Sequence, residues 1–253
     1  MQGKSIEEAV AKVINPACPW KLPQLDWSFP SYCYKMSRRE WKALLAKAEQ
    51  GDGKSEFGIA EHYSDGVKDR SGAIVVKPSA RKYSYWLRRA AEHGCSSAWN
   101  NLGVRLTNHK SVEADWREGI DWLKKAYRDG DTCCAPVNIA VTYRQQGEFR
   151  KAVAWFRKVV ASGDDGARIQ FGVHLYWGIG VSVDHKAAVE HFRRATRGKN
   201  ISEAERDDAY FYLGVAYLEG KGVKASIAEA RRLLERANVD DDHLAARRLL
   251  ARL

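Results

Sequence analysis

Apolar positions in this chain follow a 3.6-residue period, in paired stretches separated by short polar or glycine-rich turns. Residues 167–198 show the pair most clearly. Their first half places Phe171, Gly172, Leu175 and Tyr176 at helical spacing, and their second half does the same with Ala188, Phe192 and Ala195. A mid-helix glycine costs about 1 kcal/mol relative to alanine, so Gly172 is expected where a second helix comes close. Gly178 and Gly180 supply the positive φ angles of a tight connection. Asp184 is placed to accept hydrogen bonds from the N–H groups that open the second helix. The pattern predicts a helical hairpin with one closely packed seam.

The pattern recurs along the chain. Residues 209–238 repeat it with Ala209, Leu213, Gly214, Tyr217, Gly220, Gly222, Ala230 and Ala237. Residues 55–94 carry Ile59, Ala60, Tyr63 and Gly66, then Trp86, Ala90 and Ala91, around an insertion at 68–75 that is expected to be a loop. Residues 98–130 keep Leu102, Gly103, Trp122 and Ala126 but replace the turn glycines with His109 and Ser111. Residues 135–163 have a short turn and keep Ile139, Ala140, Tyr143, Ala152, Trp155 and Phe156. Starts at 55, 98, 135, 167 and 209 have the spacing of a solenoid. Capping boxes are expected at Ser37 with Glu40, Asp115 with Glu118, Ser202 with Glu205 and Ser226 with Glu229. Ser202 would start the fifth repeat's first helix early. Residues 243–253 read as a terminal capping helix whose Arg247, Arg248 and Arg252 form a wet face.

Residues 1–36 stand outside the repeats. Ile6 to Ile14 predicts a short helix, stopped by Pro16. Pro16, Pro19, Pro23 and Pro30 then interleave with Trp20, Trp27, Phe29, Tyr32 and Tyr34. The segment reads as an arm packed over the first hairpin, with a partner-binding segment as the alternative.

The residues at 167–198, and again at 209–238, resemble a Sel1-like repeat, a relative of the tetratricopeptide repeat. The resemblance extends over 37–253. It implies an all-α, right-handed α-α superhelical solenoid of about five helical hairpins (residues 55–94, 98–130, 135–163, 167–198 and 209–238). The first helices of such repeats line a concave face that usually binds a protein or peptide. Carried over by alignment, the partner-binding positions are Glu61 and Asp65 in the first repeat, Asn100 and Asn108 in the second, and Arg144 and Gln145 in the third. The fourth contributes Tyr176 and Trp177, and the fifth Glu219. Tyr176 and Trp177 are expected to be exposed aromatic anchors.

Composition narrows the partners. Hydrophobic residues make up 45% of the 253-residue chain and charged residues 29%, which fits a globular protein. The net charge of +10 favours an acidic partner, whether protein, nucleic acid or membrane surface. The cations are dispersed over second helices, where their stems can cover apolar seams while the heads stay wet. No nucleic-acid module is present. Five cysteines without regular spacing fit a reducing cytoplasm, and no apolar stretch is long enough to span a membrane. Cys133 and Cys134 are expected to be buried or half-buried thiols.

Catalytic and metal chemistry find little support. Gly53-Lys54-Ser55 lacks the leading glycine of a phosphate loop, position 48 being Ala48. His185 and His191 lie six apart, on divergent helix faces, and are expected at the surface. Some relatives are associated with β-lactam chemistry, but their hairpin-stapling cysteine pairs are missing here. The expected function is a non-catalytic adaptor of the bacterial cytoplasm that needs no cofactor or metal and binds a protein partner. An immunity-type protein that neutralises a toxin or secreted effector is the alternative. Nucleic-acid binding and an enzyme acting on β-lactams are minor ones.

Overall fold

The computed structural model describes residues 3–15, 34–108, 115–132 and 134–253. Thirteen helices and three short strands occur among these residues: α1 (Gly3–Ala11), β1 (Tyr34–Lys35), α2 (Arg38–Glu49), α3 (Gly53–Asp65), β2 (Val67–Lys68), β3 (Ile74–Val76), α4 (Ala80–Glu92), α5 (Ser96–Thr107), α6 (Trp116–Arg128), α7 (Cys134–Gln145), α8 (Phe149–Ala161), α9 (Asp165–Trp177), α10 (His185–Thr196), α11 (Glu203–Glu219), α12 (Ile227–Arg236) and α13 (Leu244–Leu250). The chain divides into two compact units. One lies within residues 28–142, the other within 1–27 and 143–253.

In the 28–142 unit, α3 packs on α4 and α5 on α6, while α2 packs on α3 and α4 on α5. Its core joins Ile59, Ala60, Leu87, Ala90, Ala91, Leu102 and Leu106. Glu56 is fully buried in α3, held by Arg89 Nε at 2.9 Å and His93 Nδ1 at 2.7 Å from α4. The Ser37 capping box forms as expected. Asp115 accepts from the N–H groups of Arg117 and Glu118, but the Glu118 carboxylate turns to Arg88 and Trp122 instead of closing a box. Gly53-Lys54-Ser55 is the first turn of α3. The Asp52 carboxylate accepts from the Ser55 N–H at 3.1 Å, where a phosphate would have to sit.

The insertion expected as a loop is an antiparallel β2–β3 hairpin. β1 adds to it in parallel, pairing Tyr34 with Val67 and Lys35 with Lys68. Strands of two or three residues carry no readable period, so their pairing was not visible in the sequence.

In the other unit, α9 packs on α10 and α11 on α12, with α8 on α9 and α10 on α11. Gly172 faces Phe192, whose Cε1 lies 2.6 Å from where a Cβ would project. Gly178 ends α9 in the left-handed region at φ 67°, and Asp184 caps α10 by accepting from Ala187 N–H at 2.9 Å. The Ser202 capping box starts α11 two turns early, giving 17 residues. α1 belongs to this unit. It packs on α11. Residues 16–33, including the proline and aromatic run, and the turn containing His109 and Ser111 lie outside the described residues, as does Cys133. Cys134 is exposed instead of buried, and Cys95 is a buried thiol.

Candidate protein-binding site

Each unit presents part of the first-helix row, and the expected binding residues fall into two kinds. Some are consumed in links between successive first helices. Others keep a polar or aromatic surface.

In the 28–142 unit, Asn138 of α7 donates its amide to the Asn100 carbonyl oxygen of α5 at 3.0 Å. The two occupy the same position in successive first helices, each the fifth residue of its helix. Glu61 and Asp65 lie half-buried on one face of α3, one turn apart. Burial first, then the neighbouring Asp65, raises the Glu61 pKa above the usual carboxylate value. Burial raises the Tyr83 hydroxyl in the same way, with Glu61 adding to it. Asn108 is exposed just past α5.

In the other unit, Arg144 Nη1 donates to Gln170 Oε1 at 2.5 Å, tying the end of α7 to α9. Gln145 is exposed beside it. Tyr176 donates its hydroxyl to Glu219 Oε2 at 2.6 Å, tying α9 to α11. Lys221 completes the group, with its Nζ 3.2 Å from the same carboxylate and 5.9 Å from the Tyr176 ring centroid.

The expectation that Tyr176 is an exposed anchor is corrected. Its ring is only 3% exposed, enclosed by Trp177 at 4.6 Å, His185 at 5.0 Å and Phe192 at 6.4 Å between centroids. Burial, then Glu219, pushes its hydroxyl pKa up, so it remains a donor. Trp177, one residue or about 100° further round α9, stays half-buried with its ring edge against Tyr212. Trp177 therefore keeps a surface of its own, whereas the Glu219 side chain, held by Tyr176 and Lys221, is only 9% exposed.

Asn138, Gln170 and Lys221 were not singled out in the sequence. Only Asn138 carried a signal, since it repeats the helix position of Asn100. Gln170 and Lys221 become partners through packing between repeats.

Two histidines pack into the fold to different depths. His174 is fully buried, its Nδ1 2.7 Å from the Ile179 carbonyl oxygen, and burial drives its pKa down to about 4. His191 is half-buried against Phe171, and burial lowers its pKa too. The cations of second helices lie on rings. Lys125 Nζ sits 4.4 Å from the Trp99 centroid, Lys158 Nζ 4.2 Å from Trp155 and Arg89 Cζ 5.0 Å from Trp86. Among the described residues, no cluster of three or more metal-ligating side chains occurs, and no helix is long and apolar enough to cross a membrane.

Successive helical hairpins stacked through their first helices define an α-helical repeat solenoid. The family model described as Sel1 repeat matches residues 85–95, 100–131, 146–164, 169–200 and 207–238, and the chain belongs to the Sel1-repeat family. Such repeats generally mediate protein–protein interactions. One similar solved structure is that of c5321, described as a protective antigen present in uropathogenic Escherichia coli strains and displaying an SLR fold. It is 26% identical with a TM-score of 0.63, over 85% of this chain and 44% of that one. This chain thus spans less than half the length of c5321. A Sel1 repeat protein from Oxalobacter formigenes is similar at 19% identity and a TM-score of 0.60, over 80% of this chain and 79% of that one. That second likeness bears on the fold alone.

Proposed function

We propose that this protein is a non-catalytic adaptor that holds a protein partner on its first-helix surface, with the strongest contacts at Trp177 and Glu219. The observation that carries this reading is the half-buried Trp177, which follows on α9 the Tyr176 whose hydroxyl, with Lys221, fixes the Glu219 carboxylate. A preset charge loses little side-chain entropy on binding. Tryptophan is also enriched among residues that dominate interface energies. The half-buried Glu61 and Asp65 on α3 offer a second, acidic contact for a cationic or amide-bearing segment. Membership of a family whose repeats typically serve as scaffolds supports binding over catalysis.

The test is a photo-crosslinking residue at position 177, with captured proteins identified by mass spectrometry. The Trp177→Ala/Glu219→Ala double variant is compared by affinity retention. The reading expects one predominant crosslinked protein, retained by the parent chain and reduced at least about tenfold with the double variant, consistent with loss of a contact worth about 1.4 kcal/mol or more. Equal retention by a double variant of unchanged circular dichroism would exclude this surface.

A further inference from the structure

The first helix of the fifth repeat, α11, is buried from Ala209 through Ala216 without a break, and again at Leu218. Eight consecutive residues sweep more than two turns, so every side of this helix is covered there. α9, α10 and α12 take three sides. His243, at the start of α13, sits against Phe211 with ring centroids 5.0 Å apart. Among the described residues, α1 packs on α11 as well.

α1 is a poor helix by itself. It has nine residues, well under the roughly 12–15 at which isolated helices become marginally stable. It is held by one apolar edge. Ile6, Val10, Val13 and Ile14, at i, i+4, i+7 and i+8, are all buried, while Glu8 points to solvent. Its last turn tightens, because Val13 N–H bonds to Val10 O at 3.0 Å. The Ala9 carbonyl accepts instead from Arg252 Nη1 at 3.1 Å. That places a cation at the helix C-terminus, where the helix dipole favours it.

We infer that the α11–Arg252 surface is a helix-docking seat, that α1 is its exchangeable occupant, and that a partner reaches it with an amphipathic helix carrying aliphatic residues at i, i+4, i+7 and i+8. Resting on the protein-binding reading above, this names the partner's chemistry at one part of the first-helix surface. The seat recognises a helix edge of Ile and Val type, and Arg252 recognises the free carbonyls of that helix's last turn. Because α1 gains its helical order from docking, its release and a partner's docking are one exchange. Tethering gives α1 an effective concentration in the millimolar range, so a partner must bind more tightly than α1 or act when α1 is displaced. The alternative is that α1 is a permanent cap of the array.

The test uses the full-length chain and a fluorescein-labelled synthetic peptide of residues 3–15. Fluorescence anisotropy is measured with the parent protein, with Val10→Asp, which loosens the resident helix, and with a control peptide bearing the same substitution. Binding to Val10→Asp is expected to be at least about tenfold tighter than to the parent, and the control peptide should bind neither. Equal affinity for parent and variant, or no binding to a variant whose circular dichroism is unchanged, would overturn the inference. Hydrogen exchange of the parent gives a second readout that needs no variant. α1 amides should exchange at least about tenfold faster than α11 amides, whereas joint exchange of the two would identify a permanent cap. Neither measurement substitutes Trp177 or Glu219, so this inference can fail while the binding role of those residues stands, and the reverse.

Discussion

Tyr176 on α9 donates its hydroxyl hydrogen to the carboxylate of Glu219 on α11 across 2.6 Å, with the tyrosine ring buried and the carboxylate side chain only 9% exposed. One bond therefore both fixes two successive first helices and aims the carboxylate that the proposed partner would meet. Tyr176→Phe keeps the ring and removes the donor. Hydrogen bonds to charged groups contribute about 1.5–3 kcal/mol, and a loss in that range is expected in urea unfolding with an unchanged denaturant slope. A loss below about 0.5 kcal/mol would show that Lys221 alone can hold the carboxylate.

Gly172→Ala sets two effects against each other. Alanine is the better helix former by about 1 kcal/mol. Its Cβ, however, would lie 2.6 Å from Cε1 and 3.0 Å from Cδ1 of Phe192, itself fully buried. Overpacking of this kind costs about 1–3 kcal/mol. Because the ring has no free space to move into, the clash is expected to win, and chemical denaturation should show a net destabilisation.

Acid titration should separate a buried and a half-buried group of opposite sign. The His174 pKa is lowered from 6.5 to about 4, mainly by burial. Its stabilising contribution is complete above pH 6.5 and is lost as pH falls towards 4. That contribution is at most about 3 kcal/mol, at 1.36 kcal/mol per pH unit. The Asp207 pKa is raised from 3.8 to about 6, by burial first and then by Asp242, Asp208 and Asp240. Its contribution is present below pH 3.8 and lost as pH rises through about 6. The two therefore offset each other between pH 4 and 6. His174→Asn, which retains a donor for the Ile179 carbonyl, should leave stability rising towards acid in that window. Asp207→Asn should make it fall more steeply towards acid. Unfolding free energies measured from pH 4 to 7 decide both.

Glu56→Ala strands the Arg89 guanidinium and the His93 imidazole that face it. Arg89 and His93 approach the fully buried carboxylate from α4, with side chains 27% and 43% exposed. Breaking a buried pair by removing one partner costs about 3–5 kcal/mol. The partial exposure of these partners puts the expected loss near the lower end, about 3 kcal/mol, in an equilibrium unfolding measurement.

Much of the architecture was legible because its signals are short-ranged. The Ser37 and Ser202 capping boxes act over three residues, the Asp184 cap over three, and the Gly178 turn at a single φ angle. The apolar period of each hairpin needs only its own two helices. The site was legible only in outline. Alignment placed Asn100, Arg144, Tyr176 and Glu219 on the first-helix row, but their side chains are engaged with Asn138, Gln170 and each other. A rotation of about 100° around α9 separates the buried Tyr176 from the half-buried Trp177. Sequence spacing resolves such a phase only when the neighbouring helices are in place.

The sequence by itself determined the hairpins, their order, their caps and the glycine that admits Phe192, since each depends on residues within one repeat. Tertiary structure alone decided what lies far apart in the chain. It set Tyr34 against Val67, turned Glu219 towards Tyr176 and brought Arg252 to Ala9. These contacts join segments from about thirty to more than two hundred residues apart. Their partners are selected by which surfaces remain uncovered once the repeats have stacked, a property of the assembled array that no local period encodes.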